Sequence, residues 1–304
     1  MMPLFGDRLA LAAQSVGAPV AVGLDPHLDR LPVEFAARFA GLTGREARAA
    51  AGAAIGDFCE VVLDGLVGTV AAVKPQSAFF EQLGAPGFAA LERVCAMARD
   101  RGLLVILDAK RGDIASTAAA YGRAALDPDG PFAADALTVS PWMGMDTLDP
   151  LLGYCRTQGR GLFVLVRTTN PGSGLFQRHG EPSGAVCVAH EIARVNAEGL
   201  TGDSGLGSVG AVVGAQVASE APGLRSLMPA AWFLVPGVGS QGGGMDDALA
   251  GCRGDGLGAL PVASRSVIFG DQRSGEGLSE AVHRRAVALS RQAAKAIAAG
   301  CAKN

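Results

Sequence analysis

The sequence predicts an α/β fold, a single (β/α)8 TIM barrel with loop insertions that uses residues 1–304 as one domain. Three observations carry this prediction. Eight short apolar runs recur along the 304 residues, and helical patterns lie between them. The runs are nearly continuous in Val, Leu, Ile and Ala, as strands buried on both faces must be. Hydrophobic residues make up 49% of the chain and charged residues 18%, which supplies a core and excludes wholesale disorder. An open doubly wound parallel sheet is the alternative, because alternation alone does not prove closure.

The runs, in order, are PVAVGLD (19–25), TVAAVKP (69–75), LLVILDAK (103–110), ALTVSP (136–141), LFVLVRTTN (162–170), SVGAVVGA (208–215), AWFLVPG (231–237) and LPVASR (260–265). Each ends in a polar or Gly/Pro signal. A Pro/Gly/Arg-containing loop (26–45) follows the first run, and a helix is predicted over 46–67. The stretch 86–101 places Phe88, Leu91, Val94, Cys95 and Ala98 at helical spacing, with Pro86 near its start and Gly102 just past its end. Stretches 114–126, 144–158, 183–199 and 276–299 also read as helices. Residues 239–259 are Gly-rich and read as a second insertion without a helix. Neither insertion has the composition of a linker. Trp142 and Trp232 are expected in the core.

The residue counts remove several function classes. A net charge of −3 gives no electrostatic case for nucleic acid. No apolar run reaches the length of a membrane span, and MMPLFGDRLALAAQ lacks the basic and apolar regions of a secretory signal. The six Cys (59, 95, 155, 187, 252, 301) form no C-x-x-C pair and are expected as buried thiols. The four His (27, 179, 190, 283) are scattered, so no imidazole metal site is expected. A reducing compartment, the cytoplasm, follows.

In an α/β barrel, chemistry gathers at the carboxyl ends of the strands. The runs deliver Asp25, Lys74, Asp108 with Lys110, Ser140, Thr169, Gly237 and Arg265 there. Ionisable groups at four of eight strand ends are costly unless they pair or meet a ligand. One such residue reads as a rim ion pair; the set together reads as a site. The densest cluster is LDAKRGDIAST (107–117). Asp108 and Lys110 are two apart on a strand and point the same way, roughly 7 Å apart. Asp113 follows in the loop and Thr117 one turn later. Carboxylates on both sides of an ammonium keep it charged and fixed. That suits stabilisation of a developing anion and proton delivery, and suits a Schiff base poorly. Arg111 reads as solvated or structural.

The second cluster, PGVGSQGGG (236–244), contains G-x-G-x-x-G at Gly237, Gly239 and Gly242. It lies late in the chain, so a phosphate-cradling loop fits better than a dinucleotide fingerprint. Arg265, one strand later, is placed to pair with the same phosphate. NPGSG (170–174) lacks the spacing of a nucleophile elbow.

Taken in order, these motifs resemble those of the orotidine 5′-phosphate decarboxylases, in particular the longer bacterial subgroup. The most specific part is D-x-K-x-x-D, here Asp108–Ala109–Lys110–Arg111–Gly112–Asp113. VGLDP at Asp25, KPQSAFFE at Lys74, TTNPGSG, PGVGSQGG and Ser264–Arg265–Ser266 support it. The resemblance implies decarboxylation of orotidine 5′-monophosphate to UMP, the last step of de novo pyrimidine biosynthesis, with no cofactor and no metal. It implies that Asp25 binds the ribose hydroxyls and that Lys74 contacts ribose within an alternating chain of Lys74, Asp108, Lys110 and Asp113. It implies that Lys110 protonates C6, and that Asp113 and Thr117 come from the second copy of a homodimer. Thr169, where the family usually carries Ser, would bond the pyrimidine edge; Gln241 and Arg265, with Gly237 and Gly239, would hold the 5′-phosphate. The insertions 26–45 and 242–259 depart from compact members. Other barrels with D-x-K-x-x-D hold Mg2+ on carboxylates; a lysine aldolase and a non-catalytic nucleotide-phosphate-binding barrel are further alternatives.

Overall fold

A computed structural model describes residues 2–238 and 243–301. The eight runs form β1 (Ala21–Leu24), β2 (Ala72–Pro75), β3 (Leu104–Arg111), β4 (Ala136–Val139), β5 (Gly161–Arg167), β6 (Val209–Val213), β7 (Phe233–Pro236) and β8 (Ala259–Ala263). All pairs are parallel and follow chain order, and β8 returns to β1 with Val262 opposite Ala21. The sheet is therefore closed, which decides against the open alternative. Helices Gly44–Leu66, Ala85–Asp100, Ala115–Ala125, Gly184–Ala197 and Leu278–Cys301 lie where predicted. The predicted 144–158 helix divides into a 3-10 turn, Met145–Leu148, and a helix, Asp149–Gln158, which Pro150 opens and Gly159 closes at φ +59°. Among the described residues no helix is long and apolar enough to cross a membrane.

Strand alternation sorts side chains into two layers. Val22, Val73, Leu107, Leu137 and Val139 face out into the main apolar cluster beneath the helices. Ala21, Ala72, Ile106, Ala136, Phe163 and Trp232 belong to a second cluster that fills the barrel. Continuing that inner set upward at a spacing of two reaches Asp25, Lys74, Asp108 with Lys110, and Thr138. The interior is thus apolar toward the amino ends of these strands and polar at their carboxyl ends.

The helix Phe5–Ser15 was missed because its run was weighed only as a leader. It buries Phe5, Leu9, Ala10 and Ala13 at helical spacing and plugs the barrel floor. Phe5 meets Phe163 edge to face at 5.9 Å, and the Trp232 indole N–H donates to the Gly6 carbonyl at 3.2 Å. Both insertions are more ordered than expected. Residues 26–45 contain turns at Leu28–Arg30 and Val33–Ala36, with His27 ringed by Phe79 (4.2 Å) and Phe269 (6.4 Å). The described part of the second, 243–259, contains a helical turn, Met245–Ala248, whose Asp247 carboxylate accepts from the Gly244 amide at 2.9 Å.

Other expectations need correction. Trp142 is 69% exposed on the loop after β4, against Phe176 at 4.6 Å. Phe88 is also exposed, with its ring stacked on that of Phe132. Cys59, Cys95 and Cys155 are buried free thiols, but Cys187 is exposed and Cys252 half-buried. Burial pushes the Cys95 thiol up to about 12, which makes it inert.

A Cβ on Gly6 would lie 2.3 Å from the Leu206 carbonyl oxygen and 2.7 Å from that of Gly207. Both obstacles are backbone. Gly6→Ala is therefore expected to destabilise the fold by about 1–3 kcal/mol, read as a lower urea midpoint by intrinsic fluorescence. An unchanged midpoint would show that the floor plug is not closely packed.

Candidate active site

The carboxyl ends of β2 to β4 converge on the Asp108 carboxylate. Its Oδ2 accepts from Lys74 Nζ at 2.7 Å and from Gln76 Nε2 at 2.9 Å. Its Oδ1 accepts from Lys110 Nζ at 2.6 Å and from the Thr138 hydroxyl at 2.9 Å. Lys74 is 5% exposed and Asp108 is buried, while Lys110 is exposed at the barrel mouth. A buried carboxylate is tolerated only when its charge is matched and its lone pairs are used. Here two ammonium groups and two neutral donors meet that demand.

The electrostatics follow. Burial opposes ionisation of Asp108, but the charges of Lys74 and Lys110 and their hydrogen bonds outweigh it and hold the group well below the usual carboxylate range. Burial likewise opposes the charge on Lys74, yet attraction to Asp108 and then to Asp25 leaves its pKa raised. The pair is charged throughout the physiological range.

Asp25 stands just past β1. Its Oδ1 is buried and, among the described residues, has no hydrogen-bond partner; the Ser264 hydroxyl just past β8 shares that condition. Gly23 makes room for both, since a Cβ there would lie 2.9 Å from Ser264 Cβ and 3.3 Å from Asp25 Oδ1. A buried carboxylate oxygen without a donor marks a place where a ligand hydroxyl would be favoured.

Asp113 does not brace Lys110 within one chain. Its carboxylate accepts from the Ile114 amide at 2.8 Å and forms no ion pair with the lysine. Thr117 is exposed on the helix Ala115–Ala125. Ile114 beside them is 56% exposed. Arg111 pairs with Glu81 and lies over the Tyr121 ring, in keeping with a structural role.

On the other half of the barrel, Thr169 is half-buried after β5, where its Cγ2 would lie 2.3 Å from any Cβ on Gly214. Gly237 follows β7 at φ +101°, a conformation open to glycine. Arg265 opens the short helix Arg265–Ile268 after β8 and is half-buried. Gly239, Gln241 and Gly242 lie outside the described residues.

Sequence reasoning missed three participants. Gln76 follows Lys74 by two and so shares its face, a signal that was readable. Thr138 lies inside an apolar run and gives no such signal. Arg167, read only as part of the fifth run, is buried and pairs with Glu220 at 2.8 and 3.2 Å. Its remaining donors bind the Thr168 carbonyl at 2.8 Å and the Ser173 hydroxyl at 2.9 Å. It thereby ties down the loop that carries Thr169.

Comparison with known proteins points to one family. The model of the orotidine 5′-phosphate decarboxylase / HUMPS family matches residues 20–275. An orotidine 5′-phosphate decarboxylase of Rhodopirellula baltica is 41% identical over 278 residues, covering 90% of each chain. One of Deinococcus radiodurans is 48% identical over 208 residues, or 68% of this chain and 75% of that one. A crystal structure from Streptomyces avermitilis superimposes with a TM-score of 0.80 at 36% identity, covering 98% of this chain and 97% of the other. The structure of Leishmania donovani OMP decarboxylase gives 0.74 at 32% identity, covering 97% and 98%.

Asp108→Asn removes the anion but leaves Lys74 buried. The expected cost is about 3–5 kcal/mol of stability near neutral pH. Without Asp108, burial favours a neutral Lys74 in the folded state, while the unfolded chain still binds the proton. Stability of the variant should therefore rise with pH toward the ordinary lysine value of about 10.4, by an amount reduced by the remaining attraction of Asp25, whereas the wild-type pair contributes evenly below that value. A variant with a flat profile and a wild-type midpoint would contradict the proposed energetics.

Proposed function

This chain belongs to the orotidine 5′-phosphate decarboxylase / HUMPS family, and from that premise we propose that it decarboxylates orotidine 5′-monophosphate to UMP. The observation that carries this reading is the Lys110 ammonium, held 2.6 Å from the Asp108 carboxylate, whose pKa is lowered by its lysine neighbours, and facing the barrel mouth. In this reaction the C6–carboxyl bond breaks and its electron pair stays on C6 as carbon dioxide leaves. That pair lies in the ring plane and cannot spread into the π-system. A fixed cation beside C6 stabilises it, and Lys110 then transfers its proton to C6 and is reprotonated from solvent. Fixing the cation in advance avoids reorganisation during the reaction. Asp108, beside the departing carboxylate, adds ground-state repulsion.

The remaining assignments belong to the same reading. Asp25, with its unpartnered oxygen, takes the ribose hydroxyls, and Lys74 contacts the same sugar. Thr169 bonds the pyrimidine edge. Gly237, Gly239, Gln241 and Arg265 hold the 5′-phosphate, whose binding energy organises the mouth. A homodimer brings Asp113 and Thr117 of one copy to the mouth of the other. The exposed Ile114 and the absence of an Asp113–Lys110 ion pair within one chain support that arrangement. The enzyme acts as a single domain in the cytoplasm, without cofactor or metal, at the last step of UMP biosynthesis. Asp108 has each oxygen already committed to two donors, which favours an ammonium partner over a divalent cation.

Purified protein should consume orotidine 5′-monophosphate, read as loss of absorbance, at a rate unchanged by EDTA. Loss of activity with chelator and its return with Mg2+ would favour the metal-dependent relatives instead. Lys110→Ala should lower turnover by roughly 10³-fold or more while ligand binding remains measurable.

Mixing Lys110→Ala protein with Asp113→Ala protein should restore turnover, because one mouth of each mixed dimer regains both groups. No rescue, once subunit exchange is confirmed, would refute the shared mouth.

A further inference from the structure

We infer that Thr138, in β4, is a positioning residue for Lys110: its hydroxyl holds the β3 bulge that aims the ammonium at the reacting carbon. The inference rests on the reaction proposed above and concerns a residue outside the substrate-facing set.

The β3–β4 ladder carries the first observation. Leu107 pairs with Leu137, but the next pair is Arg111 with Val139. Three residues of β3, Asp108 to Lys110, thus stand opposite Thr138 alone. Such a bulge leaves strand amides without their regular carbonyl partners. Here the amides of Ala109 and Lys110 donate instead to the Thr138 hydroxyl oxygen, at 3.0 and 2.9 Å. The same hydroxyl donates its own proton to Asp108 Oδ1 at 2.9 Å. One proton and two lone pairs are all that a hydroxyl has, and all three are used.

The second observation is the backbone of Lys110. Its φ is +47°, a left-handed conformation that a residue with a side chain adopts only when its surroundings impose it. The Thr138 hydroxyl on the Lys110 amide is such an imposition. From that backbone the side chain folds back so that Nζ meets Asp108 Oδ1 at 2.6 Å. Main chain, hydroxyl, carboxylate and ammonium close a ring in which Thr138 is the one member from another strand. Thr138 is 1% exposed, so water cannot replace it. Its branched Cβ also limits χ1, which keeps the hydroxyl directed.

Val at 138 preserves shape and removes every one of these bonds; Ser keeps the hydroxyl. Thr138→Val is expected to lower kcat for orotidine 5′-monophosphate about 100-fold, the scale of a misplacement near 1 Å, with KM changed less than about threefold. Thr138→Ser should stay within about threefold of wild type in both. Retention of kcat by Thr138→Val, or loss in Thr138→Ser equal to that in Thr138→Val, would overturn the inference. Should Thr138→Val not fold, Thr138→Ala against Thr138→Ser reads the same contrast. A crystal structure of Thr138→Val, or of Thr138→Ala in that event, separates this inference from the reaction itself. Lys110 leaving the left-handed region supports the inference even if the wild type proves inactive on this substrate. Lys110 unmoved, with Nζ still on Asp108, refutes it even if the wild type is active.

Discussion

The Asp108 carboxylate is the constraint on which the site is built. Desolvating one carboxylate costs several kcal/mol, and an unmatched one would not survive in the barrel. Four donors therefore have to reach it, and they come from three strands: Lys74 and Gln76 at the end of β2, Lys110 on β3 and Thr138 on β4. Each donor is held by its own strand, so the strands must keep register to about the tolerance of a hydrogen bond. Satisfying the charge and aligning β2, β3 and β4 are one requirement. The same requirement holds Lys110 Nζ against Asp108 at the mouth. A freely rotating lysine would lose that placement to side-chain entropy.

The alternation of signs extends the argument. Asp25, Lys74, Asp108 and Lys110 run from β1 to β3 with opposite charges as neighbours. Removing Asp108 would leave Lys74 buried and without its closest counter-charge, so these two at least act together. Placing the set above an apolar barrel floor keeps the local dielectric low and strengthens each attraction. It also separates duties. Phe5, Phe163 and Trp232 fill the lower barrel, and the polar layer above them is free to be arranged for a ligand. Fold stability and site chemistry are stacked along the same strands.

The eight strands were legible because burial on both faces forces continuous apolar runs, and that pattern depends on local sequence alone. The charged strand ends were legible for the complementary reason: a lysine or aspartate ending such a run violates burial and must be compensated. Exposure was less legible. Trp142 is apolar by composition, yet it stands 69% exposed on the loop after β4, against the ring of Phe176. Nothing in the sequence encodes which surfaces meet. Asp113 poses the same difficulty from the other side, since its motif spacing suggests contact with Lys110, yet its carboxylate accepts from the Ile114 amide instead. Thr138 was hidden because its role depends on a register slip between two strands, a non-local property with no signature in either run.

The two halves of the mouth differ in how they are fixed, and the difference fits the chemistry. Groups on β1 to β3 sit on strands or within a residue or two of their ends, where backbone pairing limits displacement; sites carried by such elements are more precise than sites on loops. On the other half Thr169, Gly237 and Arg265 also lie within a residue or two of strand ends, but all of them are past those ends and open longer segments. Even there, the segment carrying Thr169 is tied through buried Arg167 to Glu220, which also accepts from Arg178. Ser173 and Gln177 are also held, by Arg167 and Thr168, so within that segment Leu175 and Phe176 are the exposed apolar side chains. A reaction that needs a fixed cation and a removable cover would place the cation on strands and the cover on an anchored loop. Interchanging the two would put the charge on the part that moves and make ligand entry wait on unzipping a sheet.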